Sequence, residues 1–322
     1  MGVHLITGGA GFIGVNLARR LLEQGQTVIA LDDLSLGKLE FVAPLTRFPD
    51  FSFVKVDCSS SDDISKALAK IHERTPVSDV WHLAANSNIA AGVADPRIDL
   101  TRTFLTTFEV LAAMRQTGIG VLHFASSSAV YGDAGGAAVD ENWGPLEPIS
   151  NYGAMKLASE AQIRAACESF LTRADIFRFP NVVGTPATHG VIVDLIAKGR
   201  ATPHEIEVLG DGTQRKIYLH VQDLVEAMLF ITSHADARYN VYNIGPADDG
   251  VTVREIAEMV RDRVAQGGAI RYGAGNKGWV GDVPRFRYAT DKLIALGWKS
   301  SRNSAAAIRT AVNEIADQPW RA

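Results

Sequence analysis

The sequence predicts an α/β fold: a doubly wound parallel sheet with a smaller C-terminal lobe. Three observations predict it. Over residues 1–180, short apolar runs alternate with segments of helical period. Those runs are apolar on both faces, as strands of a parallel sheet covered on both sides must be. After Pro180 the alternation gives way to loops punctuated by glycine and proline.

Taken in order, Val3-Leu5-Ile6 begins the sheet and Phe12 to Gln24 reads as the first helix. Val28 to Leu31, Phe53-Val54-Val56, Val80-Trp81-Leu83 and Val121-Leu122-Phe124 read as the next four strands. Helical patterns cover Thr103 to Gln116 and Tyr152 to Leu171, and Ala174 to Phe179 reads as a sixth strand. Residues 1–180 are therefore expected to form one domain, with chain returning to it at about 217–244; residues 181–216 and 245–322 form the lobe. Further helices are expected near 221–233, 252–265 and 302–316. The glycine-rich stretch 267–284 reads as a loop covering a ligand.

Composition narrows the classes. With 47 % hydrophobic residues in 322, the chain can bury an ordinary globular core. Lys plus Arg number 32 against 36 Asp plus Glu, without a block of like charge, so nucleic-acid binding has little electrostatic support. Cys58 and Cys167 form neither a disulfide framework nor a metal-ligand spacing, and no metal is expected. No apolar run of membrane-spanning length and no secretory leader is present in the sequence, so a cytoplasmic protein without a membrane partner is expected.

The first strand runs straight into Thr7-Gly8-Gly9-Ala10-Gly11-Phe12-Ile13-Gly14 and a helix. Gly8, Gly11 and Gly14 let the backbone turn tightly and let a pyrophosphate reach the N–H groups at the helix start, Phe12 and Ile13 included. Asp32, 18 residues after Gly14 at the end of the second strand, is placed to accept from ribose hydroxyls and to repel a 2′-phosphate. This is a Rossmann-type dinucleotide site, and NAD is the expected cofactor. The adjoining Asp33 belongs to the same site. Asp57 reads either as a cap on the adenine edge or as a turn aspartate, with Cys58 beside it. Leu83, Ala84 and Ala85 close the fourth strand with residues small enough for a cofactor to lie over, whereas His82 reads as a packed strand-end histidine.

Tyr152 and Lys156 lie four apart, on one face of a helix. A phenol is a poor base at neutral pH; a neighbouring ammonium and a positive nicotinamide ring favour its phenolate. The preceding strand ends in Ser126-Ser127-Ser128, hydroxyls that suit either a solvated turn or, at the carboxyl end of such a strand, a substrate site.

The motifs TGGAGFIG, LDDLS, HLAA, SSSAVYGD, Tyr152/Lys156, RFPNVVG, GDGTQRKIYLHVQDL and GDVPR follow one another in the order of a known family. The chain resembles the extended short-chain dehydrogenase/reductases, in their NAD-dependent sugar-nucleotide epimerase/dehydratase branch, over nearly its whole length. The resemblance implies that Tyr152 is the general base and acid, that Lys156 lowers its pKa and holds the nicotinamide ribose, and that Ser127 binds the reacting hydroxyl. It places Asn181 and Arg215 in the substrate site, Arg215 on the diphosphate; Ser128 is expected there as well, and Val191, in the loop from Thr188, reads either as covering the nucleotide or as ordinary surface loop. Trp279 stands where the family has a second diphosphate-binding arginine, and Lys277, Arg285 or Arg287 is expected to supply that charge, Lys277 and Arg285 first. A homodimer built on the helix from Thr103 and the helix bearing Tyr152 is implied as well, with Phe104, Phe108 and Leu111 either on its face or in the core.

Dehydratases of the branch carry an Asp-Glu pair after the catalytic hydroxyl, and its decarboxylases a glutamate. Here those places hold Ser128 and Ala129, which cannot move a proton in an elimination. The resemblance therefore implies epimerisation of a nucleotide-diphosphate sugar, UDP-glucose/UDP-galactose type, at C4 through a transient 4-keto sugar. Another reaction of the branch (C2, C3 or C5 epimerase, UDP-glucuronate epimerase or decarboxylase, reductase) is the alternative. From a different class comes a non-catalytic NAD-binding regulator, which the retained Tyr152 and Lys156 argue against.

Overall fold

One seven-stranded sheet is built from β1 (Val3–Thr7), β2 (Thr27–Asp32), β3 (Phe51–Lys55), β4 (Asp79–His82), β5 (Val121–Ala125), β6 (Arg173–Arg178) and β7 (Tyr239–Asn243). The computed structural model describes residues 2–275 and 287–319; Lys277, Trp279 and Arg285 lie outside them. Strand order is β7-β6-β5-β4-β1-β2-β3, and β1 to β6 run parallel. The chain thus winds outward from β1 in one direction, then restarts at β4 on its other side. The carboxyl ends of β1 and β4 meet in register, Thr7 opposite His82. That reversal is where an α/β sheet opens a crevice for a ligand.

The helices around the sheet include α1 (Phe12–Glu23), α2 (Ser61–Arg74), α3 (Thr106–Thr117) and α4 (Asn151–Ser169). Leu5, Leu31, Val80, Leu122, Phe124 and Ile176 from the strands pack in one core with Val110, Met114 and Ile163 from α3 and α4. Each such side chain contributes about 1.5–3 kcal/mol by leaving water. Side chains also stop and start the helices. Ser60 accepts from Asp63 N to begin α2, Ser150 from Gly153 N to begin α4, and Gly118, at φ 77°, ends α3.

The helix expected from Thr103 differs at its start. Leu100–Leu105 is a π-helical turn that passes into α3. Threonines account for the widening: Thr106 Oγ1 donates to Arg102 O and Thr103 O, and Thr107 Oγ1 to Thr103 O, at 3.1–3.2 Å. Hydroxyls that bond back to carbonyls compete with the regular helical ladder.

Two compact units divide the chain. The first holds Met1–Gly132, Gly144–Arg178 and Met228–Tyr242, and the second Asp133–Trp143, Phe179–Ala227 and Asn243–Ala322. Segment 133–143 joins the second unit because its strand Ala138–Val139 pairs with Arg287–Tyr288, and Asn243 Nδ2 donates to Val139 O at 3.1 Å. The core of the second unit is Ile192, Leu195, Ile196, Ile256, Val260, Ile308 and Val312, from the helices Val191–Ala201, Val253–Val264 and Ser304–Asp317. Within 267–275, read from sequence as loop, Ala269–Tyr272 is a strand parallel to Glu205–Val208, because Ile270 and Tyr272 turn one apolar side to the core. Among the described residues no helix is long and apolar enough to cross a membrane, and no group of acidic, histidine or cysteine side chains could hold a metal.

Candidate active site

The glycine turn between β1 and α1 is held by its own backbone. Gly9 N donates to Leu31 O at 3.0 Å and Gly11 N to Gly8 O at 3.1 Å. Gly8 has φ +68°, and a Cβ on it would lie 2.8 Å from Ala84 N. A Cβ on Gly14 would lie 2.3 Å from Gly8 O, so neither position accepts a side chain. Gly11 is different: a Cβ there would meet only Gly8 O, at 3.2 Å. No side chain caps α1 at Gly11, and Val15 is the first residue whose N–H closes onto a turn carbonyl, that of Gly11. The N–H groups of Phe12, Ile13 and Gly14 thus belong to an uncapped helix start.

Asp32 ends β2 with its carboxylate buried. Oδ2 accepts from Ala10 N at 3.0 Å and Oδ1 from Leu34 N at 2.8 Å, so the side chain ties the glycine turn to the second strand. Burial raises its pKa, and the two N–H donors partly offset that. Asp33 caps the next turn through Ser35 N, and Asp57 accepts from both the N–H and the hydroxyl of Ser59, as a turn aspartate does. The Cys58 thiol is buried and its pKa raised by burial and by the charges of Asp32, Asp57 and Asp33, which places it in the same cluster. Leu83 N and Ala84 N donate to Thr7 O and Thr7 Oγ1 beyond the end of β4.

His82 is packed, as expected, and also wired. Its Nδ1 lies 2.7 Å from Thr7 Oγ1 and its Nε2 3.1 Å from Thr107 Oγ1, which also accepts from Ser159 Oγ at 3.1 Å. Burial and the nearby Lys156 charge push the imidazole down to about 3, so it is neutral. A neutral ring makes both contacts with one proton.

Ser127, Tyr152 and Lys156 come together at the carboxyl end of β5. Ser127 caps the 3-10 turn Ser128–Tyr131, accepting from Ala129 N at 3.2 Å, and its hydroxyl bonds the Tyr152 phenol. Gly153 brings the start of α4 against this turn: a Cβ on it would lie 2.5 Å from Ala129 O. Lys156 is 2 % exposed; its Nζ donates to Ala125 O at 2.6 Å and lies 5.8 Å from the Tyr152 ring centre. Burial pushes Lys156 down to about 7, against the pull of Glu160 and Asp99. Tyr152 is pushed up to about 12 by burial, which the Ser127 bond lowers and Asp99 raises. Burial dominates at the phenol, and the Lys156 ammonium is turned to Ala125 O.

Sequence reasoning missed a buried network behind these residues. Ser126 Oγ donates to Glu160 Oε1, and Arg178 grips Glu160 by Nε at 3.0 Å and Nη2 at 2.6 Å. A signal existed in Glu160, four residues beyond Lys156 on the same helical face.

In the second unit, Asn181 is exposed at the start of the strand Asn181–Val183, and Val191 begins the helix Val191–Ala201. Arg215 pairs opposite Thr252; its Nη1 donates to Gly250 O at 2.7 Å and its Nη2 lies 3.6 Å from Glu255 Oε2. Lys216, the next residue, faces the other side of that two-stranded ladder.

The profile of the NAD dependent epimerase/dehydratase family matches residues 4–245. The chain belongs to that family. It is 31 % identical to the UDP-glucose 4-epimerase of Streptomyces lividans, over 81 % of this chain and 80 % of that one. The UDP-glucose 4-epimerase of Corynebacterium glutamicum is 28 % identical over 80 % of this chain and 79 % of its own. A solved UDP-galactose 4-epimerase superposes with a TM-score of 0.85 at 35 % identity, covering 99 % of this chain and 100 % of that one. The UDP-glucose 4-epimerase of Thermus thermophilus, solved with NAD, gives 0.84 at 28 % identity, covering 98 % and 100 %.

The chain is thus an NAD-dependent epimerase with a Rossmann-type sheet. The residues present fit that cofactor: an uncapped helix start in a turn where Gly8 and Gly14 leave no room for a side chain, and a carboxylate at the end of β2.

Proposed function

We propose that this epimerase inverts C4 of a UDP-sugar of the glucose/galactose type, as a cytoplasmic enzyme. The observation that carries the reading is the Ser127–Tyr152–Lys156 constellation followed by Ser128 and Ala129, which offer no acid for elimination. The names of the relatives support the choice of C4 and of UDP-glucose. Gly8, Gly11, Phe12, Ile13 and Gly14 would hold the pyrophosphate of NAD, Asp32 with Asp33 its ribose, and Asp57 and Cys58 the adenine side. Leu83, Ala84 and Ala85 would lie beneath it. NAD, when bound, accepts the C4 hydride and returns it.

In this reading Ser127 orients the C4 hydroxyl and Tyr152 removes its proton as the ketone forms. Lys156 holds the ribose and favours the phenolate once its ammonium turns from Ala125 O. Tyr152 returns the proton after the hydride arrives on the opposite face. Ser128, Asn181 and Val191 contribute to sugar-nucleotide binding, and Arg215 to the diphosphate, for which it must leave Glu255. Lys277 and Arg285 remain candidates for a second diphosphate contact.

The same reading includes a homodimer. Leu100 and Phe108 are 45 % and 43 % exposed, and the Phe104 ring lies tilted beside Phe108 at 6.4 Å, an apolar stripe along one helical side. Phe108, Leu111, Ala112, Ala165 and Phe170 line a groove between α3 and α4. Light scattering that reports a monomer would remove this part.

Incubation with NAD and UDP-glucose or UDP-galactose, followed by proton NMR, tests the reaction. The expected product is the C4 epimer, without net NADH and without solvent deuterium on carbon. Loss of water or carbon dioxide, or stoichiometric NADH, overturns it.

A further inference from the structure

His82 is the last residue of β4, and its ring is bonded at both ends. Nδ1 lies 2.7 Å from the hydroxyl of Thr7, which ends β1, and Nε2 lies 3.1 Å from that of Thr107, in the first turn of α3. Thr7 Oγ1 also accepts from Ala84 N at 3.3 Å. Thr107 Oγ1 accepts from Ser159 Oγ of α4 at 3.1 Å and donates to Thr103 O at 3.1 Å. Thr7, His82, Thr107 and Ser159 are each 0 % exposed, so bulk water completes none of these bonds.

Counting protons fixes the direction of this chain. A hydroxyl carries one proton and two lone pairs, and a neutral imidazole one N–H and one bare nitrogen. Among the described residues, the acceptor in reach of the Thr7 hydroxyl proton is His82 Nδ1. Nδ1 is then bare, and the ring proton sits on Nε2 and is donated to Thr107 Oγ1. That oxygen takes protons from His82 and Ser159 and gives its own to Thr103 O. Every proton finds an acceptor. The opposite tautomer, or an imidazolium, would leave the Thr7 proton buried without one, which is unfavourable.

One end of the chain is the glycine turn. Thr7 runs directly into Gly8, and a Cβ on Gly8 would lie 2.8 Å from Ala84 N, the same group that donates to Thr7. The other end is the helix of the reacting groups. Ser159 stands three residues beyond Lys156 and seven beyond Tyr152, on one side of α4.

We propose that His82, held as the Nε2–H tautomer, is a positioning residue that fixes the cofactor turn against the helix of Tyr152 and Lys156, with Thr7 and Thr107 as its two grips. The proposal rests on the NAD site assigned above. Its readouts are taken without a sugar, so an error in the sugar or in the carbon inverted leaves the test intact.

NMR of the holoenzyme with isotope-labelled histidine reads the tautomer, the His82 signals being those that shift in Thr107→Ser. A proton on Nε2 and none on Nδ1 is expected; a proton on Nδ1, or on both, overturns the proposal. Thr7→Val and Thr107→Val each remove one grip, from opposite ends. Each should speed the exchange of bound NAD for isotope-labelled NAD by about tenfold. Because both act through one ring, the double variant should exchange no faster than either single one, whereas independent defects multiply. Thr107→Ser, which keeps the hydroxyl, should exchange at the wild-type rate. Multiplied effects in the double variant, or wild-type exchange in both single variants beside a lowered urea midpoint, would mean a purely structural role and overturn the proposal. Should a valine variant fail to fold, alanine at that position takes its place in the cycle, and the wild-type tautomer is decisive by itself against the proposal if it is the opposite one.

Discussion

Glu160 and Arg178 meet as a forked ion pair, Nε to Oε1 at 3.0 Å and Nη2 to Oε2 at 2.6 Å, with both side chains almost wholly buried. The same carboxylate accepts from Ser126, and the remaining Nη1 of Arg178 reaches Tyr131 Oη at 2.9 Å. Both ends of the Ser127 turn are thereby pinned to the helix that carries Tyr152. Glu160→Gln would leave a buried guanidinium without its counter-charge, at about 3–5 kcal/mol. Urea denaturation should show that loss as a lower midpoint; a midpoint equal to wild type would contradict the bracing role.

Gly153→Ala should damage activity more than stability. Its Cβ would meet a backbone oxygen, that of Ala129, at 2.5 Å, so turn and helix must separate. The cost is about 1–3 kcal/mol for forced overpacking, with the Ser127–Tyr152 bond lengthened as well. Gly25→Ala is the control. At φ +74° with nothing within 4 Å, it should cost about 1–2 kcal/mol of backbone strain and leave kcat unchanged.

Tyr152→Phe keeps the ring and removes the hydroxyl that moves the proton. Turnover should fall by about 10²–10⁴-fold, while the amount of NAD bound per chain stays at the wild-type level. Mass spectrometry of the folded protein and a turnover assay read these two quantities separately.

Stability should depend on pH through Lys156. Its folded value is about 7 against an ordinary 10.5, so in that interval the unfolded chain binds a proton that the folded chain has released. Stability therefore rises with pH from about 7 upward. Tyr152, at about 12 against 10.0, opposes this above about pH 10, where the unfolded phenol ionises first. Denaturation midpoints at about pH 7 and about pH 9 should increase in the wild type relative to Lys156→Met. Parallel curves for the two proteins would show that Lys156 is not depressed.

β1 to β6 were legible as short runs rich in apolar residues, whereas β7, Tyr-Asn-Val-Tyr-Asn, alternates with asparagine and was not; the cofactor turn was legible because Gly8 and Gly14 leave no room for a side chain. Tyr152 and Lys156 declared themselves through spacing and through the hydroxyls of the preceding strand. Arg178 and Glu160 stand on different elements and meet only once β6 is set beside α4. The departure of 133–143 to the second unit depends on pairing with a strand about 150 residues away, which no local pattern records.

The chain passes between its two units after Gly132, Trp143, Arg178, Ala227 and Tyr242. Neither unit is therefore a single stretch of gene. A lobe could not be exchanged cleanly with a relative at one junction, since any single junction within the two units divides at least one of the two cores between the parents. Point substitution and loop insertion change such a lobe while leaving the interleaving of the two units whole.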